Sequence, residues 1–383
     1  MDSGGGSGGD QTLVERKSKL MDKPLLLYAP MSLRDQSLPP SAMMYPFWGE
    51  SVSDKAIFTK AVFRQLSFNK NYYSLTENPA EADYIFLPYN YWAVEKNKPI
   101  LLEKAFVLSK KLRKPLLLDA FGDRMDKIEF EHSVVLRCGQ YQASLTNRDV
   151  IVPAYVEDLL VSYKDGVWQA RLKQEGPPVV GFAGWAHLPI LDNWPTYLKD
   201  LPLRFGSLFH KSLNKYRKGV FLREEIMRDL ESFSSIKTNF LIRPSFSGHT
   251  STLSGLAGKL RIEFVNNIAN SDYTLCVKGD GNFSTRFYEA LSLGRIPVFI
   301  DTDCVLPLAG IIKYPDCILT IAFDDAHKAG EVITAFHTQI SPEEFIARQK
   351  LAREIFEKYL RLDNFTPHLM SSLRDRLPLV GYK

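Results

Sequence analysis

Short apolar runs alternate with amphipathic stretches along the first half of the chain. In the first half, this pattern predicts strands at residues 24–29, 83–88, 115–118 and 133–136, and helices at 55–65 and 99–112. Strands that alternate with helices are typical of a parallel sheet, because each crossover between parallel strands needs a helix-sized connection. The first half of the chain is therefore predicted to form one α/β unit.

The same alternation resumes after a polar connection at residues 165–178, which ends in two prolines. Strands are predicted at 179–183, 238–242, 273–277 and 296–300, with helices at 223–233, 260–269 and 285–293. Residues 342–376 are mostly helical in pattern. We predict an α/β protein with two doubly wound Rossmann-like domains that face a central cleft. The predicted boundaries are 1–23 for a flexible tail, 24–175, 176–341, and 342–383 for a helical segment.

Composition narrows the functional classes. The 383 residues carry a net charge of +4, too small and too dispersed for the basic stripe of a nucleic-acid-binding protein. The four cysteines have neither metal-ligand spacing nor the density of a disulfide framework, which favours reduced thiols. The sequence has no run of 18 or more apolar residues, so no membrane span is predicted. The Gly/Ser-rich start lacks the apolar core of a signal peptide. We expect a cytoplasmic protein, or a soluble portion of a membrane-anchored enzyme.

A glycine-containing loop between a strand and a helix is the most informative segment. Lys278, Gly279, Gly281 and Asn282 follow the strand at 273–277, and Ser284 stands where the next helix would be capped. Glycines allow close approach of a ligand to the backbone, and the free N–H groups of a helix N-terminus attract anions. The loop is predicted to bind phosphate, with a solvated Lys278 as the alternative to a phosphate contact.

Arg286 and Glu289 lie three residues apart in this helix and therefore share a face. An arginine near the helix start suits a diphosphate leaving group, and a glutamate one turn later can accept hydrogen bonds from two ribose hydroxyls. The alternative is a surface ion pair of little energetic consequence.

The segment resembles the signature of the exostosin family of glycosyltransferases: a strand with a cysteine, a glycine loop, Ser-x-Arg-x-x-Glu-Ala, a glycine, Pro-Val and Leu-Pro. The matching residues are Cys276, Gly279, Ser284, Arg286, Glu289, Ala290, Gly294, Pro297, Val298, Leu306 and Pro307. Residues 77–91, the pair Gly122-Asp123, the strand at 180–184 and Arg223 are also similar to the family. Asn78 replaces the usual aspartate, and Arg124 stands where a histidine often follows. The resemblance covers about residues 24–310.

The resemblance implies an inverting transferase of the GT-B fold that needs no metal or other cofactor and uses a nucleotide-sugar, mostly a UDP-sugar, as co-substrate. The acceptor would be a hydroxyl of a glycan or glycolipid, which also allows a peripheral membrane contact; nucleic acid is not an expected partner. The expected donor-binding residues are Gly184, Arg223, Lys278, Gly279, Gly281, Asn282, Ser284, Thr285, Arg286 and Glu289.

An inverting mechanism needs a general base, which should face the donor across the cleft. Asp123 is the first candidate, because it follows the strand at 115–118 by a short loop; Asp119, Glu50 and Glu157 are alternatives. Together with Arg286 it makes up the predicted catalytic set.

Other polar residues are weaker candidates for a functional role. Asp301 and Asp303 have the spacing of a metal-binding Asp-x-Asp motif, but an acidic loop pair without metal is the favoured interpretation. His187 and His249 lie in candidate loops of the second domain, where ordinary loop histidines are the simpler interpretation.

Two other functions stay open at this point. One is a non-catalytic nucleotide-sugar-binding partner subunit, and the other is a GT-B transferase that uses a GDP-sugar.

Overall fold

In the computed structural model, the chain forms two parallel β-sheets flanked by helices. The structure describes residues 23–35, 37–38, 40–48, 62, 71–243 and 257–382. The first sheet has six strands in the order β2-β1-β3-β4-β5-β6, and the second has five in the order β11-β10-β9-β7-β8. Every neighbouring pair is parallel. The prediction of an α/β protein with two parallel sheets is confirmed.

The first sheet is built from the N-terminal part of the chain. Its strands are β1 Leu25–Tyr28, β2 Tyr73–Leu75, β3 Tyr84–Asn90, β4 Leu116–Asp119, β5 Ser133–Arg137 and β6 Asp149–Ile151. The helices are α1 Tyr45–Trp48, α2 Tyr91–Asn97, α3 Pro99–Leu112 and α4 Leu159–Tyr163. Strands β3, β4 and β5 are buried on both faces, as parallel strands covered by helices must be.

The second sheet follows the polar connection. Its strands are β7 Val179–Trp185, β8 Lys237–Arg243, β9 Tyr273–Cys276, β10 Ile296–Asp301 and β11 Leu319–Ala322. The helices are α5 Ile190–Phe209, α6 Gly219–Ser232, α7 Ala257–Ala269, α8 Thr285–Ser292 and α9 Ala329–Gln339. Helix α8 is almost entirely buried, so the signature segment lies inside the molecule.

The C-terminal helices join the two units. Helices α10 Pro342–Ile355 and α11 Leu362–Val380 are separated by a short π-helix at Phe356–Leu360. Helix α11 returns to the first sheet, where Phe365 and Leu369 belong to its core and the Tyr84 hydroxyl donates a 2.6 Å hydrogen bond to the Leu373 carbonyl. In the part of the chain that the structure describes, no helix is both long and apolar enough to cross a membrane.

The two sheets meet through loops at their carboxyl ends. The loop after β5 contacts the loop after β10, where the Gln142 N–H donates to the Asp303 carbonyl at 2.9 Å and the Val305 N–H donates to the Gln140 carbonyl at 3.0 Å. Backbone hydrogen bonds therefore join the two units at this edge of the predicted cleft. The helix predicted at 55–65 lies, apart from residue 62, outside the described residues.

Candidate active site

The candidate site lies where the strand order of the second sheet reverses. The chain passes from β7 outward to β8 and then returns to β9 on the other side of β7. Helices after β7 and β9 therefore diverge and leave a crevice at the carboxyl ends of these strands, which is where open α/β sheets bind ligands. Gly184 is the last residue but one of β7, and Val277 and Lys278 follow β9.

The loop between β9 and α8 is held by its own backbone. The Gly279 N–H donates to the Phe283 carbonyl and the Phe283 N–H donates to the Gly281 carbonyl, both at 2.9 Å. Ser284 occupies the N-cap position as predicted, but its side chain makes no capping bond. Its buried hydroxyl oxygen has no hydrogen-bond partner among the described residues. Thr285 next to it is exposed. The start of α8 thus offers unused donors, which an anion can satisfy.

Arg286 is buried in the first turn of α8. Its Nη2 donates a 2.6 Å hydrogen bond to the Ala183 carbonyl, and its guanidinium lies 3.9 Å from the centre of the Phe182 ring. Its buried Nε has no partner in the described part of the chain, and burial lowers the pKa of Arg286. A side chain at Gly184 would place Cβ only 2.5 Å from Nη2, and this glycine has φ +147°. Gly184 thus makes room for the arginine.

Arg223, on α6, lies beside Arg286. It donates to the carbonyls of Trp185 at 3.0 Å and Val277 at 3.4 Å. Trp185 ends β7 and Val277 directly follows β9, so these bonds lie at the switch point. Its Nε also lacks a partner among the described residues. Burial, with a smaller effect from Arg286, lowers the pKa of Arg223 to about 9.

Lys278 adds a third cation. Its Nζ donates a 2.9 Å hydrogen bond to the Tyr141 hydroxyl of the first unit, and burial lowers its pKa to about 8. No carboxylate in residues 71–243 and 257–382 forms an ion pair with Lys278, Arg223 or Arg286. Buried cations without counter-ions are costly, so this arrangement is one that a bound anion would stabilise.

Glu289 faces a different partner. Arg261 on α7 donates to Glu289 at 2.9 Å and forms a second ion pair with Glu157 at 2.7 Å. Arg261 thereby fixes the glutamate one turn along α8 from Arg286. Sequence reasoning did not single out Arg261, because nothing in the pattern of α7 distinguishes this arginine from a solvated one.

Asn282 is engaged between the two units. Its Nδ2 donates to the carbonyls of Gln140 at 3.4 Å and Thr302 at 3.3 Å, and its Oδ1 accepts from the Thr302 hydroxyl at 2.6 Å. If the Asn282 side chain bound a nucleotide-sugar, it would have to give up one of these hydrogen bonds. Asn282 therefore positions the loop in the observed state.

Asp123 reaches the glycine loop from the first unit. Its Oδ1 accepts a 3.2 Å hydrogen bond from the Gly281 N–H, and a Cβ at Gly281 would lie 2.7 Å from the Asp123 Cα. Although Asp123 is exposed, partial desolvation of its carboxylate between the two units raises its pKa, against the opposing effect of the Gly281 bond. The structure thus brings Asp123, the glycine loop and Arg223 together.

The alternative bases lie elsewhere. Asp119 is buried and accepts from the Ser41 hydroxyl at 2.5 Å and the Phe121 N–H at 3.0 Å, and Glu157 is the ion-pair partner of Arg261. Both carboxylates are used in holding neighbouring elements. Glu50 and His249 lie outside the described residues.

The remaining polar candidates have local partners. Asp301 accepts a 3.0 Å hydrogen bond from the Cys304 N–H, Asp303 forms an ion pair with Lys215, and exposed His187 contacts Glu224 at 3.0 Å. Within the described ranges, no group of three or more His, Cys, Asp or Glu side chains has the arrangement of a metal site. None of these contacts brings Asp301, Asp303 or His187 next to Arg286.

Comparisons with known proteins find partial similarity. No protein-family model matches the chain. It is 36% identical over 66 residues to an Arabidopsis thaliana protein named probable glucuronoxylan glucuronosyltransferase IRX7, which is 17% of this chain and 15% of that protein. It is 24% identical over 149 residues to the probable glucuronosyltransferase GUT1 of Oryza sativa subsp. japonica, which is 38% of this chain and 31% of the relative. A second rice protein, probable glucuronosyltransferase Os01g0926700, is 26% identical over 149 residues. The matches thus span less than a third of the length of these curated relatives.

Proposed function

We propose that this protein is an inverting glycosyltransferase of the exostosin family with a GT-B fold. It moves a sugar from a nucleotide-diphosphate sugar, most simply a UDP-sugar, to a hydroxyl of a glycan or glycolipid. The proposal is supported by the signature segment, by the position of this segment at the switch point of the second sheet, and by relatives that are named glucuronosyltransferases.

The observation that carries the proposal is a pair of buried arginines that form no ion pair within the described part of the chain. Arg223 and Arg286 are oriented by backbone carbonyls rather than by carboxylates, and each keeps a buried Nε without a partner in the described residues. The N–H groups at the start of α8 and the Ser284 hydroxyl can also donate hydrogen bonds to a ligand that is rich in acceptor oxygens. A diphosphate has the charge and the oxygen atoms to satisfy all of these groups.

The rest of the donor would follow the direction of α8. Glu289 lies one turn beyond Arg286 and is held in place by Arg261, so its carboxylate is positioned to accept hydrogen bonds from ribose hydroxyls. Lys278 would contact the outer phosphate. No step requires a metal, because three cations and a helix N-terminus neutralise the leaving group.

Asp123 is the proposed base. The acceptor oxygen attacks the anomeric carbon while the bond from that carbon to the diphosphate oxygen breaks, and the hydroxyl proton passes to the Asp123 carboxylate. Attack from the face opposite the leaving group inverts the configuration. The raised pKa of Asp123 favours this role, since a base works best when its pKa approaches the working pH.

The names of the relatives suggest the first substrates to test. IRX7 carries a glucuronoxylan glucuronosyltransferase name, and the rice relatives carry glucuronosyltransferase names. We propose UDP-glucuronic acid as the first donor and xylo-oligosaccharides as the first acceptors. Other UDP-sugars and GDP-sugars belong in the same screen.

Calorimetric titration tests the donor site directly. UDP should bind at one site per chain in the presence of EDTA, and GDP and CMP should bind more weakly. Saturable binding of GDP in preference to UDP would instead identify a GDP-sugar enzyme. If none of the three nucleotides binds, the proposed site is wrong.

A non-catalytic nucleotide-sugar-binding subunit is the second candidate. It is favoured by the Asp123–Gly281 hydrogen bond, because a carboxylate that tethers two loops need not be a base. Tight UDP binding without cleavage of any donor, in wild type and Asp123→Asn alike, would identify this function.

A further inference from the structure

Helix α5 presents an apolar stripe to solvent. From Trp194 onward, its exposed apolar side chains recur every three or four residues, which places them on one helix face. Leu191, Trp194 and Phe209 are 92%, 60% and 83% exposed. The exposed apolar residues of α5 are Ile190, Leu191, Trp194, Leu198, Leu201, Phe205, Leu208 and Phe209. A face with this many large apolar side chains is expected to have a partner.

The face of α5 that meets the protein is the polar one. Asp200 is buried and forms a 2.9 Å ion pair with Arg217, and the Tyr197 hydroxyl donates a 2.7 Å hydrogen bond to the Leu188 carbonyl. Helices on protein surfaces normally bury the apolar face and expose the polar one. These two contacts hold the polar face of α5 against the protein and leave the apolar stripe facing outward.

Exposed positive charges flank this stripe. Residues 187–218 contain six Lys and Arg residues, of which Lys215, Arg217 and Lys218 form ion pairs with nearby carboxylates. Lys199 and Arg204 on α5 and Lys211 just after it are exposed. An apolar stripe that carries Trp and Phe and is flanked by basic residues matches a helix that lies in the interface of an anionic bilayer.

We infer that α5 is an in-plane membrane-binding helix that docks the protein on a lipid surface containing anionic headgroups. Trp194, Phe205 and Phe209 would insert at the level of the headgroups and upper acyl chains, while Lys199 and Arg204 contact lipid phosphates. Because α5 follows β7 after four residues, docking would place the switch-point crevice close to the bilayer. The inference does not depend on the proposed transferase activity.

Vesicle flotation with the full-length protein tests the apolar contact. Wild type should float with phosphatidylcholine vesicles that contain phosphatidylserine. The partition coefficient of the double variant Trp194→Ser/Phe205→Ser should be lower by a factor of about ten or more. Val107→Ser/Ile311→Ser is the matched control, since these apolar residues are 65% and 54% exposed on other surfaces. The control should float like wild type. Circular dichroism and thermal melts should show that all variants are folded.

A charge variant tests the lipid preference. Lys199→Glu/Arg204→Glu should lose binding to the phosphatidylserine vesicles, and raised salt should weaken wild-type binding. The inference is overturned if wild type does not bind the phosphatidylserine vesicles. It is also overturned if the protein is a dimer by light scattering that Trp194→Ser/Phe205→Ser converts to a monomer, because a second copy would then cover α5. Equal flotation of wild type and the apolar variant would likewise contradict it.

Discussion

Replacing Arg286 with methionine separates ligand binding from folding. Methionine keeps a similar length but removes the charge, the bond to the Ala183 carbonyl and the contact with the Phe182 ring. In the free protein, the arginine is buried and has no counter-ion among the residues that the structure describes. We therefore expect Arg286→Met to weaken UDP binding strongly while changing the stability of the free protein little.

The contributions to stability nearly cancel. A hydrogen bond from a charged donor contributes about 1.5–3 kcal/mol, and a desolvated cation–π contact contributes about 2 kcal/mol. Desolvation of the guanidinium costs several kcal/mol, so the free energy of unfolding of Arg286→Met should lie within about 1 kcal/mol of wild type. For domains of this size, that corresponds to roughly 2–4 °C in Tm.

The effect on binding is much larger. Removing one partner of a buried, hydrogen-bonded charge pair costs about 2–5 kcal/mol. At 1.4 kcal/mol for each factor of ten, the Kd for UDP should rise by a factor of about 30 to several thousand. Titration calorimetry and a thermal melt of the same samples measure both quantities.

Arg295 provides a matched control. It is a buried arginine at the other end of α8 that donates to the carbonyls of Ala269, Gln169 and Gly294. Arg295→Met should be destabilised by about 1–3 kcal/mol, because it loses bonds to four backbone carbonyls where Arg286→Met loses one. Its UDP affinity should match wild type. Wild-type UDP affinity in Arg286→Met, or equal loss of stability in both variants without loss of affinity, would refute the reasoning.

Three further predictions concern the same site. Gly184→Ala should place a methyl group against the Arg286 guanidinium at a strained φ, destabilise the fold by about 1–3 kcal/mol and weaken UDP binding, as melts and calorimetry would show. Asp123→Asn should lower turnover by about 10²–10⁴ while UDP affinity stays close to wild type. Asp126→Asn, on the same loop, is its control and should keep full turnover. Because the folded-state pKa of Lys278 is about 8, its ammonium is charged below that pH and neutral above it. UDP affinity should therefore fall as pH rises through about 8, and Lys278→Met should lose this step; an unchanged step would assign the titration to another group.

Much of the fold could be predicted from the sequence because most of its core strands are short, continuous apolar runs. Helix α3 was predicted at its observed bounds, and the strands at 179–183 and 273–277 differ from β7 and β9 by one or two residues. Helix α5 was missed, since Pro195 and Pro202 interrupt its pattern and its apolar face points to solvent. Strands β2 and β6 were missed because three residues carry too little periodicity.

The candidate site was predictable only where a local motif marks it. Arg286 and Glu289 share α8, so spacing alone brings them to one face. Arg261 could not be found in this way, because its contact with Glu289 joins two helices that are adjacent only in the folded sheet. Likewise, the role of Asn282 between Gln140 and Thr302 depends on the docking of two units, which no periodicity records.

The central claim is sugar transfer with inversion from a UDP-sugar bound at the switch point of the second sheet. Proton NMR of the protein with UDP-glucuronic acid and xylo-oligosaccharides, in the presence of EDTA, tests it most directly. We predict release of UDP together with a first-formed product of inverted anomeric configuration, and loss of both in Arg286→Met. Tight binding of the donor without UDP release, or a product of retained configuration, would contradict the account.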